Sequence, residues 1–198
     1  QLMKEISLTL TKNYMNKSIT LLLTVFCLVL QPLSAQTPEQ NNYKYHKAIE
    51  LIETDGDLKQ VRKLLNENIQ ENTKHIMSYV LLAQVDMHEG DYSSALQNLE
   101  KAMKLNYKKS GTSDALLLWW KAVAYEEMGD MEKCIPIMES AVQLAEKQKD
   151  EDLYSMLDDL ADMYFAQKNY SAADGVYNEM LKLDEGSQKP RLGLARNM

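Results

Sequence analysis

The sequence predicts an all-α fold: a solenoid of stacked helix-turn-helix units. Three observations carry that prediction. Turn pairs Gly56-Asp57, Gly90-Asp91 and Gly129-Asp130, with the equivalent Lys168-Asn169, each stand between two amphipathic stretches. The residues that follow keep the same offsets in every copy. Four after the Asp or Asn is a small or medium apolar side chain (Val61, Ala95, Cys134, Ala173), and eight after is a larger one (Leu65, Leu99, Met138, Tyr177). Strand-like alternation is absent. Self-similarity at fixed spacing marks stacked repeats, each of which cannot bury its apolar face alone.

Turn chemistry places the elements. Glycine tolerates the left-handed backbone that closes a helix, and Asp or Asn accepts from free amides of the helix that follows, worth about 1 kcal/mol per cap. The first unit is expected to hold helices at 40–54 and, after Asp57, 58–70. The second holds 74–88 and, after Asp91, 92–105. The third holds 113–128 and, after Asp130, 131–147. Pro136 lies inside that last helix, where an interior proline costs roughly 3 kcal/mol and predicts a kink. The fourth holds 150–167 and, after Asn169, 170–183, and a last helix is expected at 188–198. Successive turn pairs are spaced by 34, 39 and 39 residues. The extra residues at 108–112 contain Gly and Ser and read as a loop. Those at 147–151 contain neither Gly nor Pro and read as longer flanking helices.

The second unit reads Tyr79-x-x-Leu82-Ala83, then Gly90-Asp91-Tyr92, Ala95, Leu99 and Ala102. The fourth reads Leu157-x-x-Leu160-Ala161-x-x-Tyr164, then Asn169-Tyr170, Ala173 and Tyr177. This resembles the tetratricopeptide repeat, in which small residues let helix backbones approach and large ones fill the space beside them. The resemblance covers residues 42–198 and implies a right-handed α-solenoid of about four repeats plus the first helix of a fifth. The units fall near 42–75, 76–114, 115–153 and 154–187, with a partial one at 188–198. Departures are Lys121 at a Leu position, Asn68 and Ile49 at small-residue positions, and no closing Pro in any unit. Leu194-Ala195 repeats Leu160-Ala161 at an offset of 34, so residues 188–198 read as the opening of another unit. That suggests the amino-terminal docking module of a longer envelope protein or enzyme as the alternative to a self-contained scaffold.

Residues 1–35 read as a leader and secretory signal peptide, joined to the repeats by a short linker at 36–41. Lys17 precedes an apolar run from Ile19 to Leu30, and Leu33-Ser34-Ala35 supplies small residues for cleavage. The run is shorter than the ~20 apolar residues that span a bilayer, so no stable membrane span is expected after cleavage. These features predict export across an inner membrane to a periplasmic or other cell-envelope location.

Charge excludes one class of partner. The formal net charge is -7, and loss of residues 1–35 removes Lys4, Lys12, Lys17 and Glu5, leaving about -9. Nucleic-acid binding needs the opposite sign. Cys134 would be the only thiol left, and its repeat position reads as packing rather than reactivity. Three His residues, no HExxH, no GxSxG and no phosphate-binding glycine loop point to no catalytic residues and no cofactor. His46, Glu50 and Glu53 could face one another on a helix, but no metal site is expected there because such spacing arises commonly.

In tetratricopeptide repeat proteins the first helices of successive units line a concave groove. The resemblance therefore carries a partner-binding role to Tyr43 and His46 in the first unit and to Met77, Val80, Gln84 and Met87 in the second. In the third it falls on Trp119, Val123 and Glu126, and in the fourth on Asp158, Asp162 and Phe165. Of Trp119 and Trp120, one is expected in the core and Trp119 in the groove. Such a groove, apolar and methionine-bearing in the middle and acidic at its ends, suits a protein or peptide with apolar anchors and basic residues. The Lys/Asn set with which some similar proteins clamp a terminal carboxylate is missing.

Overall fold

Every turn predicted from a capping residue is capped in the structure, a computed structural model that describes residues 43–105 and 113–197. Asp57 accepts from the Lys59 amide, Asp91 from Ser94, Asp130 from Lys133 and Asn169 from Ala172. The expected leader, linker and 108–112 loop lie outside the described residues. Among the described residues the secondary structure is helical: α1 (Tyr43–Glu53), α2 (Leu58–Glu71), α3 (Ile76–His88), α4 (Tyr92–Lys104), α5 (Asp114–Glu127), α6 (Met131–Gln148), α7 (Leu153–Ala166), α8 (Tyr170–Leu183) and α9 (Gln188–Asn197).

The closing turns share one geometry with varied residues. Gly90 and Gly129 take φ of 79° and 76°, as expected for helix-closing glycines. Lys168 takes the same region at 58° in the fourth turn. In the first turn the left-handed residue is Asp55, not Gly56. Gly56 is required for a different reason: a Cβ there would stand 2.8 Å from the Leu51 carbonyl oxygen. In each case an amide reaches back five residues, Gly56 to Leu51, Asp91 to Asp86, Asp130 to Tyr125 and Asn169 to Tyr164. A fifth copy ends α6, where Lys149 has φ 54° and the Asp150 amide reaches Ala145. The 147–151 stretch therefore lengthens α6 by one residue and then turns, rather than lengthening both neighbours. Two caps come from residues outside the turn pairs, Ser113 before α5 and the buried His75, whose Nδ1 accepts from the Ser78 amide before α3.

Helix α6 runs unbroken across Pro136. The proline removes the donor for the Glu132 carbonyl, and the Ser140 hydroxyl donates to the Pro136 carbonyl at 2.8 Å.

By Cα packing the described residues divide into two units, which part between Thr73 and Lys74. In the first, α1 packs on α2 over Tyr45, Ala48, Val61 and Leu65, and Lys44 bridges to Glu67 at 3.2 Å and Glu71 at 2.6 Å. In the second, each helix from α3 to α8 packs on its successor, and α3 also packs on α5. This progression is that of a helical repeat stack. The small positions do what their spacing predicts: Ala83, Ala95, Ala102, Ala122, Cys134, Ala141, Ala161 and Ala173 are fully buried. Larger side chains (Leu99, Met138, Met156, Met163 and Met180) are also fully buried and fill the space between. Burial of each such residue is worth about 1.5–3 kcal/mol. Asp86 is buried as well and accepts from Asn98 Nδ2 at 2.8 Å, tying α3 to α4.

Candidate functional site: the first-helix face

The first helices α3, α5 and α7 each have an apolar stripe that enters the core, leaving a narrower accessible strip than the sequence suggests. Met77, Met87, Val123, Glu126 and Phe165 keep partial exposure. Val80 and Trp119, expected to line the groove, are each 1% exposed. That corrects the reading of both residues. Helix α3 packs on α5 as well as on the second helices, so the innermost position of each is covered. Leu116 is buried for the same reason. Gln84 is nearly buried, with its amide oxygen lacking a hydrogen-bond donor among the described residues. Tyr43 is exposed and His46 half-buried, both on α1 of the other unit.

Both tryptophans are in the core. Their rings lie 5.8 Å apart at 22°, and the Trp119 indole N–H donates to Asp159 Oδ2 at 2.8 Å, joining α5 to α7. The expectation that the pair would split between core and groove is therefore wrong. Consecutive helical residues diverge by about 100°, but here neighbouring helices cover both directions.

Asp158 and Asp162 are accessible but already engaged. Lys189 of α9 donates to Asp158 Oδ2 and lies 3.7 Å from Asp162 Oδ2. The Arg196 guanidinium sits 3.6 Å over the Phe165 ring, a cation–π contact. Sequence reasoning missed both cations, although the 34-residue offset that matches Leu194 to Leu160 also matches Lys189 to Ser155 and Arg196 to Asp162. Arg196 therefore falls at a position carried to the groove, and Lys189 beside the same face. The acidic end of this face is neutralised from within the chain.

Burial shifts two titratable groups near this face. Desolvation pushes the Glu127 carboxyl above the usual range. Burial, reinforced by the charges of Glu126, Asp159 and Asp130, pushes the Cys134 thiol up to about 12. It packs 3.4 Å from the Met163 sulfur as an unreactive side chain. Among the described residues no group of three or more His, Cys, Asp or Glu could share a metal ion, and no helix is long and apolar enough to cross a membrane.

Comparison with known families gives a direct answer. Two tetratricopeptide repeat models match residues 78–109 and 111–186, together more than half of the chain. The chain belongs to the tetratricopeptide repeat family. Solved structures agree on the fold. A thermophilic tetratricopeptide repeat protein of Thermus thermophilus matches with TM-score 0.63 and 14% identity over 92% of this chain and 97% of its own. MamA matches with TM-score 0.58 and 12% identity over 83% and 84%, respectively. YrrB, described as a tetratricopeptide repeat protein with an unusual peptide-binding site, matches with TM-score 0.56 and 12% identity over 81% and 77%. Comparison with curated protein sequences finds no match. Tetratricopeptide repeats are in general non-catalytic interaction scaffolds, which places this chain among protein-binding folds.

Proposed function

We propose that this protein is a non-catalytic scaffold that holds a protein or peptide partner across the first-helix face of its repeats. The observation that carries this reading is the accessible strip on α3, α5 and α7. Met77, Met87, Val123 and Phe165 stay partly open on a face whose deeper layer is sealed by Val80 and Trp119. Methionine side chains adapt to varied apolar surfaces, and a ring such as Phe165 suits an anchor. The internal pairing of Asp158 and Asp162 with Lys189 changes the expected partner chemistry. Apolar anchors carry more of the affinity, and basic partner residues meet the exposed Glu127 rather than the Asp pair. The signal-like segment at residues 15–35 supports a periplasmic or envelope location for this encounter.

The test compares pull-downs of the unaltered protein with Val123→Asp and Phe165→Ala variants of equal helicity. Loss of the same specific partner from both variants supports the reading. Recovery of that partner at full yield by both would remove this face from the binding site.

A further inference from the structure

On the side formed by the second helices, α6 and α8 leave a cleft of about 280 Å³ closed beneath by α7. Its floor includes Val142, Leu160 and Val176, and its rim carries Glu139, Glu146 and Glu179. Among the described residues, no lysine, arginine or histidine lines it. Glu139 accepts from the Tyr164 hydroxyl, and no ion pair from a described residue engages Glu146 or Glu179. The contrast with the first-helix face is informative, because Asp158 and Asp162 there have Lys189 beside them.

A second, independent feature is Gly175, which sits inside α8 on the same cleft. Glycine in a helix interior costs about 0.5–1 kcal/mol relative to alanine. Its backbone is not left-handed, and a Cβ there would meet no atom within 4 Å. Neither the turn chemistry nor the packing of this fold requires glycine at 175. What its lack of a side chain preserves is room above the floor, as where a backbone admits close approach of a ligand.

We propose that this cleft binds a basic segment of a partner protein, with the stem of a Lys or Arg side chain on the apolar floor and its charge among the glutamates. The floor suits an aliphatic stem and the rim a cationic head. A single metal ion is the poorer guest, since the carboxylates do not converge closely enough to share one. A longer, cationic guest matches carboxylates spread along two helices. The site is separate from the first-helix face and does not depend on its role.

The probe is an acetylated, amidated eight-residue peptide alternating Arg and Ala, titrated into the isotope-labelled full chain and followed by amide chemical shifts. Its citrulline counterpart serves as the uncharged control. Saturable shifts are expected at Gln143, Gly175 and Val176 with the arginine peptide only. Glu146→Gln and Glu179→Gln should each weaken binding roughly two- to fivefold, as for exposed ion pairs. Gly175→Leu, whose Cβ meets no atom within 4 Å and whose side chain would occupy the cleft, should weaken it about tenfold or more. Glu100→Gln, at an exposed carboxylate of α4 outside the cleft, should leave it unchanged. Shifts scattered over the acidic surface, equal binding of the citrulline peptide, full binding by Gly175→Leu, or loss of binding in Glu100→Gln would each overturn the assignment.

Discussion

Two Gly→Ala substitutions, 18 residues apart in sequence, should move stability in opposite directions. At Gly175 the added methyl group meets nothing within 4 Å, so the gain in helix propensity stands alone and stability should rise by about 0.5–1 kcal/mol. At Gly193, in α9, the same methyl group would lie 2.4 Å from two ring carbons of Tyr177 and 2.9 Å from a third. Tyr177 is itself buried, so its ring cannot swing into solvent. Overpacking of this kind costs about 1–3 kcal/mol, which exceeds the propensity gain. The net loss should be about 0.5–2 kcal/mol, concentrated in the docking of α9 on α8. Urea unfolding followed by circular dichroism gives the two free-energy changes, and amide hydrogen exchange reports whether α9 opens first. Changes of the same sign, or α9 amides equally protected in both variants, would refute the packing argument.

Trp119→Phe removes the indole donor to Asp159 and should destabilise by about 1.5–3 kcal/mol, measured by chemical unfolding, because the hydrogen bond is to a carboxylate. The Asp152 carboxyl is raised to about 6, first by burial and then by Asp150 and Glu151. Its ionised form is disfavoured in the folded chain, so this contribution to stability should grow as pH falls from above 6 toward 4. The effect of Asp152→Asn should accordingly be stabilising at neutral pH, by about 1 kcal/mol after solvent screening, and should vanish near pH 4. A thermal-melting series across that pH range checks the sign. Lys189→Ala breaks exposed ion pairs and should cost under about 1 kcal/mol in stability. It should nonetheless strengthen binding of a basic partner to the first-helix face, readable as a change in the salt dependence of affinity.

The repeat architecture was legible because its signals are local. A capping Asp or Asn, the small side chain four residues later and the large one eight later are read without knowing any tertiary contact. Seven of the nine described helices lie within two residues of the expected boundary at both ends, and the others differ by up to three. Where a local signal had two structural solutions, the sequence misled. Gly56 reads like Gly90 but serves close approach to Leu51, while Asp55 takes the left-handed conformation. The binding face was less legible because exposure depends on which helices neighbour one another. Val80 and Trp119 occupy the same repeat position on successive first helices, yet that position is covered by the packing of α3 on α5. Lys189 and Arg196 required both the repeat offset and the docking of α9 to be known. The cleft beside Gly175 arises from three helices and leaves no local pattern.

Site-specific photo-crosslinking in the native compartment tests the central claim most directly. A crosslinking residue is placed in turn at Met87, Val123 and Phe165 on the first-helix face, and at Tyr92, Glu100 and Glu132 as controls on second helices. A scaffold that uses its first-helix face should give one protein adduct common to the first three positions and absent from the controls. Adducts confined to the control positions, or no adduct at Met87, Val123 and Phe165 with the partner still bound, would contradict the account.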